Sequence, residues 1–424
     1  MKRLVINGGK ALKGDIYVGG SKNAAVAILP ATLLTEEPCL IENVPNVSDV
    51  RIIIKILKNL GAECRWEDNS TLYVDTKNVN SSKAVDEEVS RMRGSYYLIG
   101  ALLGRFGQAE VALPGGCTIG NRPIDMHLKG FSSLGAKVDE EYGTVVANAE
   151  NGLRGAGIYL DKVSVGATMN IMLAAVKAQG NTTIENCARE PHVVDLANFL
   201  NSMGAHIRGA GTDVIKIRGV KELHGAKGYS IIPDQIEAGT FMIAAAATKG
   251  DVTVHNLIPR HMEALTAKLE EMGIGVDEGE DEIRIYSNGE FRGTTFRTQP
   301  YPGFPTDLQP QMSVLLSLAN GESNVYESVW ENRFAYVQEL NRMGAQIEVN
   351  GTAAEIHGPK KLKGVGLRCP DLRAGAALTI AALAASGKSY LTDIKYIDRG
   401  YADFEGKLRG VGADIEREEV ETND

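Results

Sequence analysis

Two kinds of helical pattern alternate along the chain. In HMEALTAKLEEMG (residues 261–273), apolar residues recur at spacings of three and four, so that Met262, Leu265, Leu269 and Met272 share one face. The second kind, such as EAGTFMIAAAATKG (residues 237–250), is apolar on nearly all sides, which predicts a helix buried in a core. The amphipathic helices end at a glycine typical of a C-cap, and segments with the alternating pattern of strands follow.

This order of elements recurs six times. An apolar residue followed by Gly, and usually by Ala, marks each unit at Leu60, Leu134, Met203, Met272, Met343 and Val411. These marks lie 68 to 74 residues apart. One such unit cannot bury its own apolar helix, whereas three units packed around a shared axis can, with their sheets outside. We therefore predict an α/β protein of two similar domains with three strand-helix-strand-helix-strand units each. A solenoid of stacked units is the alternative.

The domain boundary is placed from the phase of the repeat, because no linker rich in Pro, Gly or Ser marks it. Domain one is predicted at residues 20–230, and domain two at residues 231–418 together with 1–19. The N-terminal strands within residues 4–18 resemble the piece that closes each unit, so we expect them to pair with the far end of the chain. Residues 419–424 are predicted to be a frayed acidic tail. A cleft between the two domains is the expected ligand site.

Composition narrows the class of protein. A net charge of −9 without a long basic run argues against a general nucleic-acid binder, although a local cluster of Arg and Lys can still bind a small anion. The five cysteines form no CxxC or Cys/His spacing, which argues against a disulfide scaffold or a zinc site and suits a reducing compartment. No signal peptide or membrane-spanning run is visible, so we expect a cytoplasmic protein.

Charged residues occur where the buried helices are predicted to begin. They are Lys22, Arg93, Lys162, Asp307 and Arg373. Helix N-termini also present free backbone N–H groups, so a phosphate at such a position is favoured by both the helix dipole and the cations. A single cation of this kind can simply extend from the rim into solvent. Their shared repeat phase favours a common anionic site.

Further motifs carry candidate chemistry, and two of them are PYPGFPTD and IDRGY. Asp307 follows two prolines in PYPGFPTD and suits a base or orienting group among cations, and it can also act as a helix N-cap. IDRGY places Asp398 beside Arg399, as either a phosphate clamp or a surface salt bridge, and WENRF holds Arg333 in a similar phase.

A fourth motif, LPGGCTIGNRPID (residues 113–125), holds Cys117 between glycines. Arg122 lies five residues later and could lower the pKa of the Cys117 thiol. From these residues alone, a reactive cysteine and a turn that happens to contain one remain equally open. Cys39 and Cys187 lie in apolar, strand-like segments and are predicted to be core residues.

From about residue 3 to 416, the chain resembles the enolpyruvyl transferases that act on UDP-N-acetylglucosamine. The motifs that carry the resemblance are SKNAA at 21, LPGGCTIGNRPID at 113, DKVSVGAT at 161, FPTD at 304, ENRF at 331, PDLRA at 370 and IDRGY at 397. The resemblance implies two inside-out α/β barrels, in agreement with the six repeats. It implies transfer of the enolpyruvyl group of phosphoenolpyruvate to the 3′-hydroxyl of UDP-N-acetylglucosamine, with release of phosphate, in the first committed step of peptidoglycan precursor synthesis.

The resemblance also assigns roles to individual positions. Cys117 matches the proton donor, which fosfomycin alkylates, and Asp307 matches the favoured base near the 3′-hydroxyl. The positions that match the phosphoenolpyruvate site are Lys22, Asn23, Arg122, Arg333, Arg373 and Arg399, with Lys22 and Arg399 also counted as catalytic. The positions that match contacts to UDP-N-acetylglucosamine are Arg93, Arg122, Pro123, Ile124, Asp125, Met126, Lys162, Val163, Ser164, Val165, Asp307 and Val329. No metal, organic cofactor or obligate protein partner is implied. Gln235 stands where many members are expected to have arginine.

Two rival functions remain. The sister enolpyruvyl transferase, with shikimate 3-phosphate as acceptor, shares the architecture and the phosphoenolpyruvate chemistry. The cysteine loop and the DKVSVGAT segment favour the nucleotide sugar. A catalytically idle paralogue that binds UDP-sugar is the other alternative, and the presence of Cys117, Asp307, Lys22 and Arg399 argues against it.

Overall fold

The computed structural model describes residues 2–113, 123–288 and 290–419, except for the side chain of Arg93. Within these residues the chain divides into two compact units. The N-terminal unit comprises residues 20–113 and 123–232, and the C-terminal unit comprises residues 2–19 and 233–419.

The strands of the described residues form six four-stranded sheets, three in each unit. In chain order they are β1 (Lys2–Asn7), β2 (Lys13–Tyr17), β3 (Cys39–Glu42), β4 (Glu63–Trp66), β5 (Leu72–Asp75), β6 (Lys83–Ala84), β7 (Gln108–Ala112), β8 (Lys137–Glu141), β9 (Thr144–Asn148), β10 (Gly157–Tyr159), β11 (Asn181–Glu185), β12 (His206–Arg208), β13 (Val214–Arg218), β14 (Lys227–Ser230), β15 (Asp251–His255), β16 (Gly275–Glu278), β17 (Glu282–Tyr286), β18 (Thr295–Arg297), β19 (Gly321–Tyr326), β20 (Ile347–Asn350), β21 (Ala353–Gly358), β22 (Gly366–Arg368), β23 (Lys388–Thr392) and β24 (Asp414–Glu419).

The helices of the described residues fall into the two predicted kinds. In chain order the α-helices are α1 (Lys22–Ala31), α2 (Ser48–Asn59), α3 (Glu87–Ser90), α4 (Tyr97–Phe106), α5 (Asp125–Ser133), α6 (Val165–Ala175), α7 (Pro191–Ser202), α8 (Gln235–Ala247), α9 (Glu263–Met272), α10 (Gln309–Leu318), α11 (Val337–Arg342), α12 (Leu372–Ala384) and α13 (Phe404–Gly410). The amphipathic prediction for α9 is confirmed, because Met262, Leu265, Leu269 and Met272 are all at most 2% exposed. This helix ends at Gly273, whose φ of 87° suits a glycine C-cap.

The apolar helices form the centre of each unit. In the C-terminal unit α8, α10 and α12 each pack against the other two, which stacked solenoid units would not allow. In the N-terminal unit α4 packs against both α1 and α6. Close approach requires small residues: a Cβ on Gly239 of α8 would lie 2.5 Å from Leu308 Cδ1. Three repeats therefore bury their apolar helices against one another, as predicted.

The two ends of the chain meet in one sheet, with strand order β22-β23-β1-β24. β1 pairs antiparallel with both β23 and β24, so that Leu4 lies opposite Leu391 on one side and Arg417 on the other. The predicted pairing with the far end of the chain is thereby confirmed for β1, but it is wrong for β2, which pairs in parallel with β15.

Candidate functional site

Asp307 lies at the centre of a cluster of charged groups in the C-terminal unit. It belongs to a short 3-10 helix, Thr306–Leu308, that leads into α10. Its Oδ1 accepts a hydrogen bond of 2.9 Å from Arg333 Nη2, and its Oδ2 accepts one of 3.0 Å from Arg373 Nη2. The arginine side chains are 2% and 4% exposed, whereas that of Asp307 is 29% exposed. The carboxylate is therefore the accessible member of the cluster.

Arg373 connects this cluster to the core. Burial by itself would lower the pKa of Arg373, but the negative charge of Asp307 and the contact with Tyr401 hold it above its ordinary value. The guanidinium lies 5.5 Å from the centre of the Tyr401 ring, and the Tyr401 hydroxyl is 2.8 Å from Thr240 Oγ1. Arg373 thus stays charged although it is buried, because its neighbours offer negative charge and a ring face.

Asp307 does not cap the helix that follows it. The 3-10 helix begins after Pro305, α10 begins after Leu308, and neither start has a side-chain cap. The N-cap interpretation of Asp307 is therefore wrong. The carboxylate binds two guanidinium groups instead, and charge-assisted hydrogen bonds of this kind are stronger than a bond to a neutral backbone N–H.

Lys22 and Asn23 occupy the first two positions of α1 in the N-terminal unit. Ser21 caps this helix, because its Oγ accepts a hydrogen bond from Ala24 N. Lys22 Nζ lies 3.6 Å from Asp49 Oδ2, and the Asp49 side chain is only 4% exposed. A buried carboxylate thus lies beside the Lys22 ammonium group where the first apolar helix begins.

The segments predicted to contact the UDP-sugar meet around His127 in the same unit. Pro123 to Met126 lead into α5, and Lys162 to Val165 lead into α6, which Ser164 caps. Lys129 Nζ and Asp161 Oδ2 join the two segments at 2.8 Å. The His127 ring packs against Gly166, where a Cβ would lie 3.1 Å from it. Tyr96, from the 3-10 helix that begins at Arg93, contacts the same ring edge-on.

His127 is a residue that the sequence analysis did not single out. It is 5% exposed, and its Nδ1 lies 3.0 Å from Asn170 Nδ2. Since Asn170 Oδ1 accepts from Gly100 N, the amide nitrogen faces the ring and donates to it. No spacing to another histidine or cysteine marks this position, because its partners come from distant helices.

The two charged residues of the IDRGY motif, Asp398 and Arg399, have different surroundings. Both Asp398 oxygens accept hydrogen bonds from Arg417, at 3.0 and 2.7 Å, and Arg417 Nε also donates to Glu405 at 2.6 Å. Asp398 therefore forms a salt bridge, the plainer of its two interpretations. Arg399 is half-buried at the end of the 3-10 helix Ile394–Arg399.

The described cysteines are buried and held protonated. Burial raises the pKa of the thiol to about 11 in Cys39 and Cys187, and to about 12 in Cys64 and Cys369. Cys39 and Cys187 are each 1% exposed, so their assignment to the core is confirmed. Cys117 and Arg122 lie outside the described residues.

Among the described residues, one group has three potential metal ligands close together: Glu322, Glu355 and His357, with donor atoms within 4.8 Å of one another. It lies on paired strands β19 and β21, where both glutamates are exposed and His357 Nε2 is 3.0 Å from Glu355 Oε1. This geometry is that of an ordinary surface ion pair. In the part of the chain that the structure covers, no helix is long and apolar enough to cross a membrane.

Known proteins resemble this chain over almost its whole length. The family model for EPSP synthase (3-phosphoshikimate 1-carboxyvinyltransferase) matches residues 6–408. The UDP-N-acetylglucosamine 1-carboxyvinyltransferase of Clostridium botulinum is 56% identical over 418 residues, which are 98% of this chain and 100% of the relative. UDP-N-acetylglucosamine 1-carboxyvinyltransferase 2 of Clostridium acetobutylicum is 54% identical over 421 residues, which are 99% of this chain and 100% of the relative.

Solved structures agree with this relationship. The enolpyruvyl transferase NikO from Streptomyces tendae is 28% identical, with a TM-score of 0.89 and 99% of both chains covered. EPSP synthase from Acinetobacter baumannii, at 18% identity and a TM-score of 0.76 over 99% of this chain and 100% of that one, shares the fold. The chain belongs to the enolpyruvyl transferase family.

Proposed function

We propose that the protein transfers the enolpyruvyl group of phosphoenolpyruvate to the 3′-hydroxyl of UDP-N-acetylglucosamine and releases phosphate. The observation that carries the proposal is the Asp307 cluster. Its two guanidinium groups and one carboxylate leave an excess of one positive charge, which suits an anionic substrate. The carboxylate is also the exposed member, as a group that accepts a proton from substrate must be.

The proposed reaction is an addition followed by an elimination. Asp307 accepts the proton of the sugar hydroxyl as its oxygen attacks C2 of phosphoenolpyruvate, and Cys117 donates a proton to C3. The tetrahedral intermediate then returns a proton from C3 to the Cys117 thiolate and expels phosphate, which takes the proton held by Asp307, so that the double bond and both side chains are restored. Lys22, Arg122, Arg333, Arg373 and Arg399 are proposed to stabilise the phosphate and carboxylate charges of phosphoenolpyruvate, with Asn23 beside Lys22.

The nucleotide sugar is proposed as acceptor because relatives at 54 and 56% identity are named for it. We propose that Arg93, the segment from Arg122 to Met126, the segment from Lys162 to Val165, and Val329 contact it. The segments from Pro123 to Met126 and from Lys162 to Val165 both lie near His127 in the N-terminal unit, which supports a single binding surface there. The reaction would then serve peptidoglycan precursor synthesis in the cytoplasm.

The acceptor is tested by supplying phosphoenolpyruvate with either UDP-N-acetylglucosamine or shikimate 3-phosphate, and identifying products by mass spectrometry. We expect an enolpyruvyl product from the nucleotide sugar alone. Shikimate 3-phosphate is the necessary comparison because the matching family model is named for that acceptor. A product from shikimate 3-phosphate would contradict the assigned acceptor. UDP-sugar binding without any product would instead identify an idle paralogue.

The role of Cys117 has a separate test, because the other four thiols have raised pKa values. At pH 7.5, fewer than about one in a thousand of these thiols is ionised. We therefore expect fosfomycin to add once per native chain, and Cys117→Ala to abolish the adduct. Intact-mass measurement counts the adducts. An undiminished adduct in Cys117→Ala would place the reactive thiol elsewhere.

A further inference from the structure

One position at a strand end has the same geometry in four of the repeats. In each of these sheets, an edge strand pairs in parallel with one neighbouring strand, and the position lies directly after that neighbour: β3, β11, β15 or β23. The residues there are Asn43, Asn186, Asn256 and Asp393, each with a left-handed φ between 54° and 58°. The three asparagines donate from Nδ2 to the carbonyls of Ile231, Leu160 and Val18. Asx residues tolerate this conformation, so the position is normally a structural turn.

The fifth repeat departs from this pattern. Glu327 takes the place of the Asx residue after β19, and it lacks the left-handed φ. Opposite it stands Thr298, whose backbone N–H donates to Tyr326 O as the equivalent residues do in the other repeats. Those equivalents are Ile231, Leu160, Val18 and Cys369, which are not hydroxyl residues. A polar pair has replaced the turn only in the repeat that contains Asp307.

The Glu327 carboxylate is 3% exposed and has four hydrogen-bond donors. Its Oε1 accepts from Thr298 Oγ1 at 2.7 Å, from Val329 N at 2.8 Å and from Trp330 N at 3.1 Å. Its Oε2 accepts from Thr306 Oγ1 at 3.0 Å. Burial of a carboxylate is unfavourable unless such bonds compensate it, so all four donors are held firmly in place.

These donors belong to the two segments that carry proposed site residues. The Thr306 carbonyl accepts from Arg333 Nε at 3.3 Å and from Nη2 at 3.2 Å, and Arg333 in turn holds Asp307. The backbone N–H groups of Val329 and Trp330 form the other segment. One buried side chain therefore fixes the approach to Asp307 and the backbone at Val329 together.

We infer that Glu327 is a positioning residue for enolpyruvyl transfer, which acts on Asp307 through Thr306 and Arg333 and on the acceptor sugar through Val329. This inference rests on the proposed function. A purely structural residue would lower the folded fraction and leave the turnover of the folded enzyme unchanged. Loss of a positioning residue should lower the turnover of the enzyme that does fold.

Three substitutions remove the hydrogen bonds of Glu327 to different extents. Glu327→Gln keeps the shape and one acceptor oxygen, and Glu327→Ala removes every bond. Thr298→Val removes one hydroxyl, which donates to Glu327 Oε1 and accepts from Ser328 N at 2.9 Å. It introduces an apolar β-branched residue like Ile231 and Val18, so it should fold even if Glu327→Ala does not. The matched control is Asn256→Gly, which removes the equivalent strand-end side chain while glycine retains the left-handed φ.

The first readout requires no activity. The chain has two tryptophans, so Trp66→Phe leaves Trp330 as the only fluorescent indole. In that background we expect lower anisotropy and stronger acrylamide quenching of Trp330 in Glu327→Ala and Thr298→Val, with Asn256→Gly unchanged. An unchanged Trp330 signal in folded Glu327→Ala or Thr298→Val would overturn the positioning of this segment, whether or not the enzyme turns over.

The second readout is steady-state kinetics, with the folded fraction measured by circular dichroism. We expect kcat to fall about 100-fold in Glu327→Ala, as for a catalytic group misplaced by about 1 Å. KM for the nucleotide sugar should rise and KM for phosphoenolpyruvate should change less, with partial recovery in Glu327→Gln. Wild-type kinetics in folded Glu327→Ala or Thr298→Val would overturn the inference. A wild-type protein that turns over neither acceptor would instead contradict the proposed function, and the Trp330 result would still decide the positioning.

Discussion

The Asp307 cluster and the Asp398 cluster contain the same kinds of charge in opposite proportion. Two buried guanidinium groups surround Asp307, whereas Arg417 lies between two carboxylates, Asp398 and Glu405. The three groups around Asp307 therefore carry an excess positive charge, and the three around Arg417 an excess negative charge. Among the groups that form these ion pairs, guanidinium groups outnumber carboxylates only in the first cluster.

The two clusters also differ in how deeply their arginines are buried. Asp307 covers two arginines that are at most 4% exposed, whereas the Arg417 side chain is 26% exposed. Ion pairs near solvent contribute little to stability, and buried ones are retained at a desolvation cost. A sequence can suggest a salt bridge. Whether that salt bridge belongs to a candidate ligand site depends on the charge balance and the burial of its members, which the structure provides.

The largest effect is expected from Asp307→Asn. The amide cannot take up the hydroxyl proton, so turnover should fall by about 10²–10⁴-fold. Two buried guanidinium groups also lose their counter-charge, which should lower the free energy of unfolding, by less than the roughly 3–5 kcal/mol of a fully buried pair because Asp307 is partly exposed. Turnover and urea unfolding measure the two effects. Asp398→Asn is the control, and equal turnover losses in both variants would remove the distinction between the clusters.

A smaller effect is expected from Arg373→Lys. Lysine keeps the charge but loses the planar fork of donors that reaches Asp307. KM for phosphoenolpyruvate should rise by roughly 10- to 100-fold, which corresponds to the loss of one charge-assisted hydrogen bond. In Arg417→Lys the same KM should stay unchanged, with a loss in unfolding free energy of about 1 kcal/mol or less. A higher KM in Arg417→Lys than in Arg373→Lys would contradict this assignment.

The last effect concerns stability alone and arises at Asp195, a buried carboxylate whose pKa is shifted by burial and by two hydrogen-bond donors. Burial raises its pKa from 3.8 to about 6, against the hydrogen bonds from Tyr229 Oη and Ile232 N that lower it. The native state therefore binds the proton more tightly than the unfolded state. The resulting stability is fully present below pH 4 and is lost as the pH rises to about 6.

Asp195→Asn should remove this pH dependence and keep an acceptor oxygen for Tyr229. The difference between the two pKa values corresponds to at most about 3 kcal/mol. Urea unfolding of wild type and variant at pH 4, 5, 6 and 7 measures it. We expect the wild-type advantage to shrink steadily across this range. Parallel stability profiles would show that Asp195 titrates as in the unfolded chain.

Much of the fold was predictable because each helix pattern depends on neighbours three and four positions apart. The face of α9 and the burial of α8 followed directly from such local spacing, and the repeat period indicated three units around an axis. The bond from Arg373 to Asp307 spans 66 positions, and the choice between cap and ion pair depends on side-chain direction. Local pattern could not decide that choice.

Glu327 has a weak signal in the sequence. The glycines of the repeat mark helix ends, whereas Asn43, Asn186 and Asn256 recur at strand ends. Glu327 and Leu113 are the two residues at this strand end that are not Asx, and Glu327 is the charged one and belongs to the repeat that contains Asp307. Its partners Thr298, directly after β18, and Thr306, the first residue of a 3-10 helix, lie in separate elements, and no sequence rule connects them.

The most direct test of the account is phosphate release from phosphoenolpyruvate labelled with heavy oxygen in its C–O–P bridge. Addition and elimination break the bond between carbon and the bridging oxygen, so the label should appear in the released phosphate, and only when UDP-N-acetylglucosamine is present. Label retained in pyruvate would show hydrolysis at phosphorus, and release without an acceptor would show transfer to water; either result would contradict enolpyruvyl transfer to the sugar.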